Sequence, residues 1–178
     1  MPELPEVETV RRGLIKSVKG RTFKDAKIIH KNIVEGNEQA FINALKNKKI
    51  IDIRRKAKYL IFDLSGDKVL LAHLGMEGKF IPGDSLKNKS KYLRVLFTFK
   101  DGSILNFDDS RCFGWLAIKD KKDYLKVLPL SKIGVEPIDP KINVNEVYQE
   151  IRNRIPEKIL AVCVPARFKL LTNALYPY

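Results

Sequence analysis

Apolar residues recur at helical spacing near the start of the chain. From Pro5 to about Lys19, Val7, Val10, Leu14 and Val18 share one stripe, and Gly20 supplies a stop. Arg11, Arg12 and Lys16 fall largely outside it. The pattern predicts an amphipathic helix whose apolar face pins an otherwise fraying amino terminus to a core. The period then changes. Residues from about 22 to 30 and 50 to 64 are rich in β-branched and aromatic side chains, with a short helix expected from Asn37 to Asn47 carrying Phe41, Ile42 and Leu45. Further strands are predicted near 67–74, 92–99, 103–108 and 113–118, with turn signals at Ser65-Gly66-Asp67, Pro82-Gly83-Asp84 and Asp101-Gly102. Successive strands without intervening helices favour an α+β fold, an antiparallel β-sandwich flanked by helices, over a Rossmann-type sheet. Tyr124, Leu125 and Leu128, ahead of Pro129, are expected to pack.

Pro137 and Pro140 mark a linker, after which Asn143 opens a capped helix with Val144, Val147 and Ile151 at helical spacing and Glu146 at the capping-box position. The expected division is a β-sandwich domain over 1–136, a linker over 137–142 and an incomplete helical segment over 143–178.

Charge narrows the class of partner. Lys and Arg number 34 against 21 Asp and Glu, a formal net charge of +13, so a polyanion is favoured and nucleic acid is the first candidate. A basic RNA-binding or ribosome-associated module, or a membrane-surface protein, would share this balance. No apolar run approaches the roughly 18 residues of a spanning helix, and no signal-peptide pattern opens the chain. Cys112 and Cys163 lack paired metal-ligand spacing, and His30 and His73 are too scattered to complete a zinc site. The composition therefore predicts a cytoplasmic, metal-free protein without cofactors.

The chemistry-bearing stretch is Pro2-Glu3-Leu4-Pro5-Glu6-Val7-Glu8. While Met1 remains, the Pro2 nitrogen is an amide; a small second residue usually permits removal of Met1, which exposes a secondary amine with an ordinary pKa near ~8. Such an amine attacking a sugar carbon yields an iminium ion with no nitrogen proton to lose, which activates the neighbouring carbon for elimination. Glu3 can donate or accept a proton beside it. Pro5 suits the first helical turn, and Glu6 and Glu8 suit the positive end of the helix dipole. The same residues also compose a plain, well-capped acidic helix start, and the two readings stand side by side on residue chemistry alone.

Five blocks in order carry a resemblance that bears on this choice: Pro2-Glu-Leu-Pro-Glu-Val-Glu-Thr-Val-Arg-Arg-Gly13, Arg55-Lys-Ala-Lys-Tyr-Leu60, His73-Leu-Gly-Met-Glu-Gly78, Asp109-Ser-Arg-Cys-Phe-Gly-Trp115 and Ile133-Gly-Val-Glu-Pro137. Together they resemble the formamidopyrimidine-DNA glycosylase family, bifunctional glycosylase/AP lyases that excise oxidised purines in base-excision repair, from residue 2 to about 155. The resemblance implies damaged double-stranded DNA as partner, a nucleoid-associated cytoplasmic location, base flipping, cleavage of the N-glycosidic bond and strand nicking through a Pro2 Schiff base. It implies Glu3 as the residue assisting ring opening, Glu6 as a positioning residue, and Lys58 as the lysine that reaches the lesion nucleotide. Met76 corresponds to the side chain that enters the space left by the extruded base, Arg111 to the one that reads the orphaned base, and Phe113 to the wedge in the stack. His73 matches a DNA-facing position, although a structural histidine is an equal reading, and the run Arg54–Tyr59 could otherwise be a solvated basic turn. Tyr92 falls where many members carry a DNA-binding histidine, with Arg94 nearby as a compensating cation. Cys112 stands where a basic residue is common, which would remove one phosphate contact.

After about residue 155 the resemblance fails. The family's helix-two-turns-helix module, with its Gly-Asn-Ile-Tyr segment, and its C-terminal zinc finger have no counterpart in the sequence, which is read as a truncated C-terminal region. Phe168, Leu170, Leu171 and Leu175 are left without a module to bury against, so self-association through this apolar tail is expected, with no obligate protein partner or membrane evident. An alternative is a catalytically impaired DNA-binding remnant lacking the clamp, and a third is the basic RNA-binding module. Selective retention of damaged DNA over RNA excludes the third.

Overall fold

The computed structural model describes residues 2–83, 90–133, 143, 145, 147–149 and 153. The chain divides into two compact units, Met1–Ile133 and Gly134–Tyr178. In the first, helix α1 (Leu4–Val18) leads into strand β1 (Phe23–Ile28), a 3-10 turn at Lys31–Ile33 and helix α2 (Glu38–Leu45). Seven strands follow: β2 (Ile50–Lys56), β3 (Tyr59–Leu64), β4 (Lys68–His73), β5 (Lys79–Gly83), β6 (Leu93–Phe99), β7 (Ile104–Asp108) and β8 (Trp115–Asp120). A second 3-10 turn, Leu130–Lys132, closes the unit.

All strand pairs are antiparallel, in two four-stranded sheets with orders β1-β6-β7-β5 and β2-β3-β4-β8. This is the sandwich expected from the sequence. Phe23, Phe97, Phe99 and Phe107 from one sheet and Ile53, Leu60, Phe62 and Leu70 from the other are buried in one core, joined by Val7, Leu14 and Val18 of α1 and Phe41 and Leu45 of α2. The α1 stripe is thus the seam fastening the amino-terminal helix to the sandwich. Asn37 caps α2 by accepting the Ala40 amide at 3.0 Å.

Three sequence expectations change. The 50–64 stretch is a hairpin, not one strand: β2 and β3 pair from Lys56↔Tyr59 outward, and Ala57 turns the chain at φ 49°. Pro82-Gly83 belongs to β5 and pairs with Leu105 and Ile104; only Asp84 of the expected turn lies outside the described residues. Pro is tolerated there because β5 is an edge strand, where a missing N–H leaves no ladder partner unsatisfied. Burial does not alternate along β3 and β4, because the chain after β8 covers the outer face of their sheet. Ile61, Val69 and Leu71 there form a second cluster with Tyr124 and Leu130. Tyr124 therefore packs as expected, whereas Leu125 and Leu128 are 44% and 57% exposed.

The expected linker, most of the segment 143–178, Cys163 and the apolar tail residues lie outside the described residues. At its start, the Val147 amide donates to the Asn143 carbonyl at 3.1 Å and the Asn145 amide to Asn143 Oδ1 at 3.0 Å, the pattern of a capped helical turn. No helix among the described residues is long and apolar enough to cross a membrane.

Candidate functional site

The amino terminus is shaped by its own backbone chemistry. Glu3 is the N-cap of α1, and its backbone N–H donates to Glu6 Oε2 at 3.1 Å, the return arm of a capping box. Glu6 therefore fixes the residue that follows Pro2. The Glu3 carboxylate faces the β2–β3 turn, where Lys58 Nζ stands 2.8 Å from Oε2 and 2.9 Å from Oε1. The Glu3 side chain is 65% exposed and that of Lys58 28%, and an ion pair so open adds little stability. What it provides is a cation and a carboxylate placed together beside Pro2.

The basic run preceding Lys58 is divided between roles. Arg54 makes a two-pronged contact with the buried carboxylate of Asp63, at 2.5 and 2.7 Å, and lies over the Tyr124 ring at 5.6 Å. Arg55 is 6% exposed and turns toward α1, donating to Glu8 Oε2 at 3.3 Å. Glu8 also accepts from Arg11 at 2.7 and 2.9 Å and from Arg12 at 2.9 Å. Hydrogen bonding to Arg11 above all holds its carboxyl at a pKa of about 2. These arginines are structural ties and not a solvated basic turn.

His73 ends β4 opposite Tyr59, their rings 4.7 Å apart. Its Nδ1 accepts the Gly75 amide at 3.1 Å. Burial and then the charge of Lys58 lower its imidazole below the ordinary value, so the ring is neutral at physiological pH. It bridges the neighbourhood of Lys58 to the loop that follows. In that loop Gly75, at φ 61°, lies so near the next loop that a Cβ there would sit 2.5 Å from the Phe113 carbonyl carbon. Met76, 37% exposed, and Phe113, 56% exposed, are thereby presented from two touching loops. Arg111 lies over the Phe113 ring at 5.0 Å, and Ser110 hydrogen-bonds Glu77 between the loops.

Asp109 builds the second loop. Buried to 1% exposure, it accepts the Gly114 amide at 2.6 Å and the Arg111 amide at 3.0 Å, while its own N–H donates to the Tyr92 carbonyl at 2.9 Å. Arg94 Nε donates to the Asp109 carbonyl at 2.6 Å and is half-buried. Its Nε is therefore committed to holding this loop. Tyr92 is exposed beside it, with Lys91 over its ring. Cys112, at φ 55°, is partly buried and packs against the core. Among the described residues no group of three or more His, Cys, Asp and Glu side chains is placed to hold a metal ion.

Residues 1–116 match the family model for the formamidopyrimidine-DNA glycosylase N-terminal domain. The chain belongs to this family. It is 42% identical over 142 residues to the formamidopyrimidine-DNA glycosylase of Exiguobacterium sibiricum, covering 79% of this chain and 51% of the relative. To that of Ligilactobacillus salivarius it is 38% identical over 154 residues, covering 86% and 56%. Among solved structures it is similar to Lactococcus lactis Fpg complexed with DNA containing N7-benzyl-Fapy-dG, with a TM-score of 0.72, 34% identity, and coverage of 76% of this chain and 50% of that one. It is likewise similar to Lactococcus lactis Fpg complexed with abasic-site DNA, with a TM-score of 0.78, 31% identity, and coverage of 85% and 56%. The chain spans about half the length of the curated relatives it matches.

Within this formamidopyrimidine-DNA glycosylase N-terminal domain, the sequence-derived candidates fall into two groups. Pro2, Glu3, Glu6 and Lys58 gather at the head of α1, and Met76, Arg111 and Phe113 on paired loops, with His73 between the groups and Tyr92 tied to the second through Asp109. Asp109 and Glu8 were missed as organisers. The sequence signal for Asp109 was its position opening the fourth motif block; for Glu8 it was the Arg11-Arg12 pair one helical turn later.

Proposed function

We propose that this chain carries the catalytic part of a DNA glycosylase/AP lyase for oxidised purines, with Pro2 as nucleophile. The observation carrying the reading is the contact of Lys58 Nζ with the Glu3 carboxylate at 2.8 Å, immediately beside Pro2. A net charge of +13 suits a phosphate backbone, and the touching loops offer an unbranched apolar side chain, a guanidinium and an aromatic ring for a gap in a base stack. The similar Lactococcus lactis structures, which hold lesion-containing and abasic DNA, support the same substrate class.

In the proposed reaction the damaged nucleotide is extruded and Met76, Arg111 and Phe113 occupy its place. The Met1-free Pro2 nitrogen attacks C1′ as the bond from C1′ to the damaged base breaks with its electron pair leaving on the base. The Glu3 carboxylate takes the proton that the attacking Pro2 nitrogen sheds and delivers it to the ring oxygen as the sugar opens, leaving an iminium. Loss of the C2′ proton then expels the 3′ phosphate, and water releases the product from Pro2. The Lys58 ammonium stabilises the phosphate or carboxylate charge beside these steps.

Borohydride trapping of the Met1-free protein on an abasic-site duplex, with the modified residue located by peptide mass spectrometry, tests this reading. An adduct at Pro2 that Pro2→Gly abolishes, with weak DNA binding retained, is expected. A folded sample giving no adduct would overturn the assignment in favour of a DNA-binding role alone.

A further inference from the structure

We infer that Glu8 and Arg55 are positioning residues for the Pro2 site, forming a strut that holds the Ala57–Lys58 turn over the start of α1 so that Lys58 meets Glu3. The inference rests on the proposed nucleophilic role of Pro2. One buried guanidinium spans two elements: Arg55 Nε donates to Glu8 Oε2 on α1 at 3.3 Å, and Nη1 donates to the Ala57 carbonyl at 2.9 Å. Ala57 needs such support because its φ of 49° lies in the left-handed region, which a residue with a Cβ resists. Glu8 is oriented in turn by Arg11 and Arg12, and Arg11 Nη1 reaches the Ile53 carbonyl at 3.2 Å, so α1 is tied to β2 at two points.

Packing alone does not require this arrangement. Val7, Leu14 and Val18 already seat α1 in the core, and none of them fixes the hairpin turn. Lys58 follows Arg55 by three residues and Glu3 precedes Glu8 by five, so the strut lies just behind the Lys58–Glu3 contact and sets the distance between the elements bearing it. Since the Glu3 side chain is 65% exposed, the contact has no packing of its own to hold it together. A shift of the turn would move the cation away from the nucleophile while leaving the DNA-contact loops in place.

Single-turnover borohydride trapping of the Met1-free full chain on an abasic-site duplex, over a range of DNA concentrations, tests this with wild type, Glu8→Gln and Arg55→Lys. The expected result is a trapping rate at saturating DNA lowered about ten- to a hundredfold in Glu8→Gln, with the half-saturating DNA concentration changed less than about twofold. Arg55→Lys, able to reach only one of the two partners, is expected to fall between wild type and Glu8→Gln. Near-ultraviolet circular dichroism identifies the folded samples. Folded variants that trap at the wild-type rate would overturn the strut while leaving the role of Pro2 intact. Loss of folding in both variants would also overturn it, making the pair a packing requirement. A wild type that does not trap removes the proposed function and this inference with it.

Discussion

Gly75 and Phe113 meet backbone to backbone, so closely that a Cβ on Gly75 would stand 2.5 Å from the Phe113 carbonyl carbon and 2.6 Å from its oxygen. Backbone atoms cannot rotate out of the way as a side-chain tip can, and the φ of 61° at Gly75 adds strain of its own. Gly75→Ala is therefore expected to cost at least about 2 kcal/mol in thermal unfolding. Gly102→Ala is the control: its φ of 86° is comparable, but nothing lies within 4 Å of the added carbon, so a cost of about 1 kcal/mol is expected. Equal losses would show that close approach of the two loops is not what requires glycine at 75.

Phe113 is 56% exposed on a loop whose backbone is firmly held. Truncating a side chain that buries little should leave stability within about 0.5 kcal/mol. If the ring fills a gap in a base stack, Phe113→Ala should weaken binding to an abasic-site duplex by about 1–3 kcal/mol, with little effect on undamaged duplex. Fluorescence anisotropy at one fixed salt concentration measures both. An equal loss on the two duplexes would place Phe113 outside the gap.

Asp109 carries the opposite profile, since it is inaccessible to DNA and holds the loop from within. Removing its carboxylate leaves the Arg111 and Gly114 amides without their acceptors. Asp109→Ala is expected to cost about 2–4 kcal/mol by urea unfolding, and Asp109→Asn less, because one amide keeps an oxygen to donate to. A stability equal to wild type in Asp109→Ala would mean that the loop is held by Arg94 and packing alone.

The parts of this molecule legible in its sequence are those written as local periodicity. The stripe Val7, Leu14 and Val18 located α1, and runs of β-branched and aromatic residues located most strands of the sandwich. Strand β5 was hidden because Pro82-Gly83 has the local chemistry of a turn, and only an edge position makes it compatible with pairing. Leu125 and Leu128 show the reverse error: apolar character next to buried Tyr124 did not decide which side chains face the sheet. Most site residues named in the sequence came from motif blocks, whereas part of what organises them depends on distant partners. Glu8 meets Arg55 across 47 positions and Arg94 meets the Asp109 carbonyl across 15, separations at which a single acidic or basic letter carries no local signal.

Glu8 also sets an acid-side signature. Its folded pKa of about 2, against an ordinary 4.5, means that the native state favours the charged form. Stability from this group is fully present above about pH 4.5 and is lost as pH falls toward 2, where folded and unfolded chains both protonate it. Lowered carboxyls at Asp52, bonded to Lys19, and Asp101, bonded to Ser103, contribute in the same direction from a lower starting value. Glu8→Gln keeps the shape and removes the titration, so it should be about 1–2 kcal/mol less stable than wild type at pH 7. The difference should shrink steadily through the acid range as wild type loses its own advantage. Urea unfolding at pH 7, 4.5, 3 and 2 would show the two curves converging. A difference that stays constant down to pH 2 would mean that the cost of Glu8→Gln does not come from the lost charge, and that this charge is not what ties α1 to β2.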